Sequence, residues 1–599
     1  MSAPLPSAPP AVRASELFRA VLAAERPAFV AAALASLLAN LVALATSLYS
    51  MQIYDRVIPT QGLSTLTVLT VGALGACVFE LVIKLARSRI LEASVRQMDG
   101  RLSHAIFARL LSIRIDQLPS GVGSVSAQVR SYESIRAFAS TATMYAAVDA
   151  PFGLLFLAVM GLLAGAELVA VPAAFFVVAL VVGTLFRRRI ARHAGSASAA
   201  GNRKAGLLVE TLDNAEGIKA GGTGPARLAQ WDALSAQALD DELAIKHCSD
   251  SASYFSGFVQ QTSYIVMIAV GAYIAATSTT LTTGGLIACS ILSGRVLAPI
   301  GMLPGLIVQW AHARIALANL ECIFALEQDH HGIAQPLQPA RIAGAVRIEN
   351  LTFAYPGRPP MQVARLELRA GERVAILGPI GAGKSTLLKL VAGLYKPTAG
   401  RVLIDDLELQ QIARPALARH IGYLQQDPRL SAGTLRDNLG GGAGAHDDAA
   451  LLDACRSTGL AALVAGHPKG LDLEIGEGGS GVSGGQRRLI GLTRLLLAAP
   501  SMWLLDEPTA AMDDATERAV LALLRRTIRP DQTLVLVTHK PELLQLVERI
   551  VVLTETGIAL DGPRALVLQA LAQRGPQPLR PVDGPAVAGP VAPAMRAAA

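Results

Sequence analysis

The 599-residue chain is 52% hydrophobic and only 17% charged, with a formal net charge of +7. A water-soluble domain carries about 25% charged residues, so this composition excludes an all-soluble protein and requires lipid to solvate much of the chain. The positive balance does not indicate nucleic-acid binding, because Lys and Arg are dispersed and the cluster Arg187-Arg188-Arg189 directly follows an apolar run, as basic flanks of membrane spans do.

The first residues, MSAPLPSAPP followed by Glu16, lack the short apolar core and small-residue cleavage site of a signal peptide, so 1–26 is expected to be an N-terminal cytoplasmic tail. A spanning helix needs about 20 mostly apolar residues. Six segments qualify: 27–52, 64–87, 145–166, 168–186, 254–277 and 281–305. Spans three and four are separated only by Glu167, and five and six only by a short Ser/Thr turn. By contrast, 88–144 and 187–250 are long, rich in Arg, Lys, Glu and Ala, and poor in Pro, the composition of solvated helices. These two excursions hold Arg87, Arg89, Arg96 and Arg101, then Arg187, Arg188, Arg189 and Arg192, while the short turns carry little basic charge beyond Arg56. Basic flanks stay in the cytoplasm, which predicts cytoplasmic termini and excursions. Pro119 with its Gly neighbours, and Gly217 with Gly221-Gly222, interrupt the two excursions, so each is expected to be a helical hairpin with a short transverse segment at its tip.

Within the spans, Glu80 and Lys84 are one helical turn apart and read as a local ion pair or as a group in the substrate path. Arg295 in span six is equally open to a role in the cargo path. The five cysteines (Cys77, Cys248, Cys289, Cys322, Cys455) are far apart without a CxxC pair, against a disulfide framework or zinc site. His330-His331 in the linker 326–343 reads as a solvated pair rather than a metal site.

After about residue 325, helical apolar sequence gives way to strand-like alternation interleaved with helical patterns, a soluble α/β domain over 344–575, followed by a Pro/Ala-rich tail 576–599 expected to be disordered. The strand 374–377 runs into Gly378-Pro379-Ile380-Gly381-Ala382-Gly383-Lys384-Ser385-Thr386, which fits GxxxxGK[ST] and is followed by an apolar helix. Glycines let consecutive N–H groups face phosphate oxygens, and the next helix presents its positive end to the same anion. Lys384 is placed to reach the β- and γ-phosphates and Ser385 to ligate Mg²⁺, so ATP and Mg²⁺ are the expected cofactors. A second apolar strand ends in Asp506-Glu507, one acid for the metal and the next to activate a water as general base.

Between these lies Val482-Ser483-Gly484-Gly485-Gln486, and here the chain resembles the ATP-binding cassette superfamily, whose signature reads LSGGQ. The resemblance implies further roles. Tyr355 would stack on adenine, Gln426 would contact Mg²⁺, Asp513 would cross to a partner, and His539 would contact the γ-phosphate. It also implies a dimer, because in that family the signature of one copy caps ATP held by the other. With all motifs present, a homodimer is expected, six spans and one cassette being half a transporter.

The span pattern is similar to that of exporters, and Glu474-Ile-Gly-Glu477-Gly resembles an exporter loop ahead of the signature. Within exporters the chain resembles bacterial type I protein secretion permease/ATPases, on Tyr54-Asp-Arg-Val-Ile-Pro, Val148-Asp-Ala-Pro-Phe, Gly294-Arg295-Val-Leu-Ala-Pro299 and the run from Asp506 to Asp513. That likeness implies a multi-pass protein of the bacterial inner membrane, a periplasmic adaptor, an outer-membrane channel and a secreted protein cargo. Many such relatives carry an N-terminal domain resembling a cysteine protease; with span one near residue 27 and no cysteine before Cys77, no leader cleavage through such a domain is expected. A lipid or drug flippase of the same architecture, and a regulatory membrane ATPase that transports nothing, remain the alternatives.

Overall fold

The computed structural model describes residues 13–119, 121–144, 150–277, 281–329, 333, 335–440, 446–510 and 512–574. His330, His331 and the tail after 575 lie outside the described residues. The chain divides into two units, one helical and one built on sheets, with the helical unit ending at Leu326.

The helical unit runs α1 (Ala14–Ala24), α2 (Arg26–Gln52), a π-helical turn Ile53–Val57, the single turn α3 (Ile58–Thr60), α4 (Leu63–Leu111), α5 (Val122–Arg130), α6 (Tyr132–Met144), α7 (Ala150–Asp213), α8 (Ala215–Ala220), α9 (Gly224–Thr277) and α10 (Thr283–Phe324). At 1.5 Å per residue, the 49 residues of α4 extend about 74 Å, far beyond the roughly 30 Å of a bilayer's hydrocarbon core. The apolar part of α4 leaves Val68, Val71, Leu74 and Val78 exposed, as a lipid-facing surface requires. Its counterpart in α10 instead buries Leu292, Val296, Leu297 and Ile300.

Five helices among the described residues are long and apolar enough to cross a membrane, where the sequence predicts six separate ones. The third and fourth expected spans both fall on α7, which is broken at Gly165 (φ 81°, ψ 172°). Glycine adopts that backbone without steric penalty, so the break falls there rather than at the charged Glu167. Part of the expected N-terminal tail is helical. α1 buries Ala14, Phe18 and Val21, and the Glu321 carboxylate accepts from the Ala14 and Ser15 amides at 3.2 and 2.9 Å, an anion at a helix's positive end. Glu80 and Lys84 form an ion pair at 2.5 Å.

At the end of α2, the Asp55 carboxylate accepts from the Thr282 hydroxyl at 2.6 Å and the Gly284 amide at 2.8 Å, holding the start of α10. Gly284 is required by space, since a Cβ there would lie 2.4 Å from the Met51 carbonyl oxygen.

The second unit comprises, among the described residues, 113–117 and 327–574. The short first segment holds a 3₁₀ turn, Ile115–Gln117, at the tip of the first excursion, and Arg114 there is 4% exposed, pairing with Asp116 and with Glu327 at 2.7 Å. The rest is built on β1 (Val346–Phe353), β2 (Met361–Leu368), β3 (Arg373–Leu377), α11 (Lys384–Val391), β4 (Ala399–Ile404), β5 (Leu407–Glu408), α12 (Arg414–His420), β6 (Ile421–Leu424), β7 (Gly433–Thr434), α13 (Leu435–Gly440), α14 (Asp448–Thr458), α15 (Ala461–Ala465), β8 (Glu474–Ile475), α16 (Gly484–Ala498), β9 (Met502–Asp506), α17 (Asp514–Thr527), β10 (Thr533–Val537), β11 (Arg549–Thr554), β12 (Gly557–Pro563) and α18 (Arg564–Arg574).

A four-stranded antiparallel sheet has the order β2-β1-β4-β5, and a six-stranded sheet the order β12-β11-β3-β10-β9-β6. In the latter, β11, β3, β10, β9 and β6 are mutually parallel, while β12 pairs antiparallel to β11. The central strands β9 and β10 are buried at every position, the pattern of a parallel sheet covered on both faces. Ligands of such sheets bind beyond the carboxyl ends of the strands, and that is where the polar residues gather.

Candidate functional site

A cavity of about 1300 Å³ opens at the carboxyl ends of the parallel strands. It is lined by the whole loop from Gly378 to Thr386, by Tyr355 and Gln426, and by Glu507 and His539. Register explains the convergence: Val537 of β10 is level with Ile376 of β3 and with Asp506 of β9, so the residues that follow these three strands emerge at one edge.

The loop after β3 is shaped by glycine. Gly378 approaches Leu553 so closely that a Cβ would sit 2.0 Å from its carbonyl oxygen, and Gly383 (φ 90°) precedes the first turn of α11. Ile380 at the loop's tip stands almost wholly exposed, while Lys384 is 8% exposed. The Lys384 Nζ donates to the Gly378 and Pro379 carbonyls at 2.9 and 2.8 Å. Burial lowers the pKa of this ammonium, partly offset by the nearby Glu507 and Asp506 charges, so it is a cation held in reserve for a stronger acceptor.

Asp506 is 2% exposed, and its Oδ1 has no hydrogen-bond partner. Desolvation pushes its carboxyl above the ordinary range, with the Ser385 hydroxyl pulling the other way. A buried acceptor without a donor costs about 1–3 kcal/mol, and a cation bound there would satisfy it. Glu507 carries a left-handed backbone (φ 48°), unusual for a residue with a side chain and fixed here by its amide donating to the Val537 carbonyl at 2.9 Å. Its carboxylate receives the Gln426 side-chain amide at 3.2 Å on Oε2 and lies 3.5 Å from His539 Nε2 on Oε1.

The signature segment is elsewhere. Ser483 caps α16 in a reciprocal box, its amide donating to Gln486 Oε1 at 2.8 Å while its hydroxyl accepts from the Gln486 amide at 3.2 Å. Neither these two residues nor Gly484 and Gly485 line the cavity, and Asp513, which caps α17 through the Ala515 and Thr516 amides, does not either.

Residues 361–510 match the ABC transporter family, and residues 29–300 match the ABC transporter transmembrane region. The chain belongs to the ABC transporters. This transporter is 28% identical to the cyclolysin secretion/processing ATP-binding protein of Bordetella pertussis, over 90% of its own length and 75% of that protein. It is likewise 28% identical to the leukotoxin translocation ATP-binding protein of Mannheimia haemolytica, over 91% and 77% of the two chains. Among solved structures, a bacterial Atm1-family ABC exporter with ATP bound superposes with a TM-score of 0.83 at 22% identity, covering 91% of this chain and 96% of that one, a likeness of fold.

The transporter is thus a multi-pass exporter half, an ATPase that couples ATP binding and hydrolysis to transport. Its cavity wall also includes residues that no motif marks: Arg358, Pro359 and Pro360 ahead of β2, Met361 at its start, and Glu555 with Thr556 after β11. Tyr355 is half exposed, edge-on to Phe353 and Tyr395 (centroids 5.1 and 6.0 Å), with its hydroxyl 3.2 Å from Thr386 Oγ1. Arg488 of α16 donates to the Gln426 carbonyl at 3.0 Å, a direct tie between the signature helix and the residue that contacts Glu507.

Proposed function

We propose that this transporter is the inner-membrane permease and ATPase of a type I protein secretion system, working as a homodimer with both termini in the cytoplasm. The observation that carries the ATP-driven part is the convergence of Lys384, Gln426, Glu507 and His539 on one cavity. The protein-secretion part is supported by relatives named for secretion of cyclolysin and translocation of leukotoxin.

In this reading the amides of the Gly378–Thr386 loop and Lys384 bind the phosphates, with Tyr355 against the adenine. Ser385, Gln426 and Asp506 would hold Mg²⁺, which when bound offsets phosphate charge. Glu507 takes the proton of the attacking water, Gln426 orients its carboxylate, and His539 donates to the γ-phosphate. Ser483, the Gly484 and Gly485 amides, Gln486 and Asp513 lie away from the cavity, which supports their serving the ATP of a second copy.

Crosslinking the transporter in native membranes and purifying it tests the assignment. A periplasmic adaptor and an outer-membrane channel are expected to co-purify. Recovery of neither, with lipid or drug movement in liposomes of the purified transporter alone, would replace protein secretion by the flippase reading.

A further inference from the structure

We infer that Arg295 is the anion-binding group of a cargo site within the membrane domain, taking a carboxylate carried by the transported polypeptide. The inference rests on the polypeptide-cargo reading above and names one chemical contact within it.

Arg295 lies twelve residues into α10, about 18 Å from the helix start at Thr283, within a hydrocarbon core about 30 Å thick. A guanidinium stays charged at any accessible pH, and a charge at that depth is costly unless paired or facing a cavity. Among the described residues, no carboxylate lies within ion-pair distance of Arg295, whereas Lys84 pairs with Glu80 at 2.5 Å and Arg87 donates to the Ser36 hydroxyl at 3.1 Å.

What Arg295 does have is space. It borders a cavity of about 150 Å³ walled by Asn40 of α2, Phe152 and Phe156 of α7, and Pro299 and Met302 of α10. Drug-sized ligands occupy pockets of about 300–1000 Å³, so this one is sized for a single side chain of a passing chain. Its depth in the span also sets it away from the level of lipid headgroups. Asn40 commits its Nδ2 to the Ser36 carbonyl at 3.0 Å, leaving its carbonyl oxygen as an acceptor for a peptide N–H. Pro299, four residues after Arg295, lacks the N–H that would bond the Arg295 carbonyl in an α-helix, so a second acceptor stands beside the cation. A charged donor, two acceptors for backbone amides and a wall of Phe and Met together fit an acidic residue in an otherwise ordinary polypeptide segment.

The test uses the full chain in discs of zwitterionic lipid, with binding read by fluorescence anisotropy of a labelled twelve-residue peptide rich in Asp and of its Asn counterpart. The wild type is expected to bind the Asp peptide at least about tenfold more tightly, the range of one charge-assisted contact. Arg295→Gln should erase the preference, Arg295→Lys should retain part of it, and Arg295→Glu should transfer it to a Lys peptide, all with basal ATPase unchanged. Equal binding of the Asp and Asn peptides by the wild type, or a preference that survives in Arg295→Gln, overturns the site while leaving polypeptide cargo standing. Binding of neither peptide removes the polypeptide reading itself. An ATPase that answers instead to phosphatidylglycerol, and only when Arg295 is present, assigns the cavity to a lipid headgroup and overturns the proposal.

Discussion

Gln426 donates its side-chain amide to Glu507 Oε2 at 3.2 Å, while His539 Nε2 stands 3.5 Å from Oε1 of the same carboxylate. Two side chains from different strand ends thus hold both oxygens of one acid whose backbone is already in a left-handed conformation. Glu507→Gln keeps the shape and removes the proton acceptor. ATP affinity should stay within about twofold while turnover falls by about 10²–10⁴, measured by nucleotide binding and phosphate release; normal hydrolysis in this variant would show that another group is the base.

Asp506 supplies a pH prediction. Its folded pKa is raised by burial, so over the window above the ordinary carboxyl value the folded state binds more protons than the unfolded chain. Stability of the nucleotide-free protein should therefore fall as pH rises through that window. Asp506→Asn removes the dependence and should raise the melting temperature at pH 7 by about 2 °C or more, while abolishing ATPase activity. Melting curves from pH 4 to 8 for both proteins decide it, and an unchanged pH slope in the variant would refute the assignment.

The glycines of the phosphate loop are not equivalent. A Cβ on Gly378 would collide with the Leu553 carbonyl oxygen at 2.0 Å, whereas at Gly381 (φ 87°) it meets open space and only the backbone objects. Gly378→Ala should abolish nucleotide binding and visibly lower the melting temperature. Gly381→Ala should cost only about 1–2 kcal/mol and leave measurable binding, a ranking that isothermal titration with ATP can reverse or sustain.

In the helical unit, Asp55→Ala removes the acceptor for Thr282 and Gly284, a loss of about 1 kcal/mol typical of a helix cap. Gly284→Ala drives a methyl into the Met51 carbonyl and should destabilise more. Both should leave ATP affinity unchanged. A Gly284→Ala protein that melts like the wild type would mean that the α2 and α10 ends separate freely.

Much of the candidate site is readable in linear order, because Gly378–Thr386 and Asp506-Glu507 are local motifs that each follow or end one strand. What the sequence hides is what depends on chain segments meeting from afar. Arg358 and Pro360 line the cavity only because the start of β2 lies against the glycine loop, where Met361 approaches Gly383, and Thr556 because β11 pairs with β3, while Arg488 reaches the Gln426 carbonyl across 62 residues of chain. Six apolar runs are visible in the sequence, but the break at Gly165 within the single helix α7 and the order of α1 are not. The first is a single backbone angle, and the second depends on Glu321, some 300 residues away.

In the proposed homodimer, the reciprocal cap of α16 would bear on how the two copies part company. Ser483 and Gln486 satisfy each other's amides, so only those of Gly484 and Gly485 remain for a phosphate brought by a neighbour. The helix end is complete in its own chain before any contact forms and equally complete after it is lost. Dissociation of the proposed dimer would then strand just two N–H groups in water rather than unravel a helix, making such a junction a reusable clasp instead of a weld.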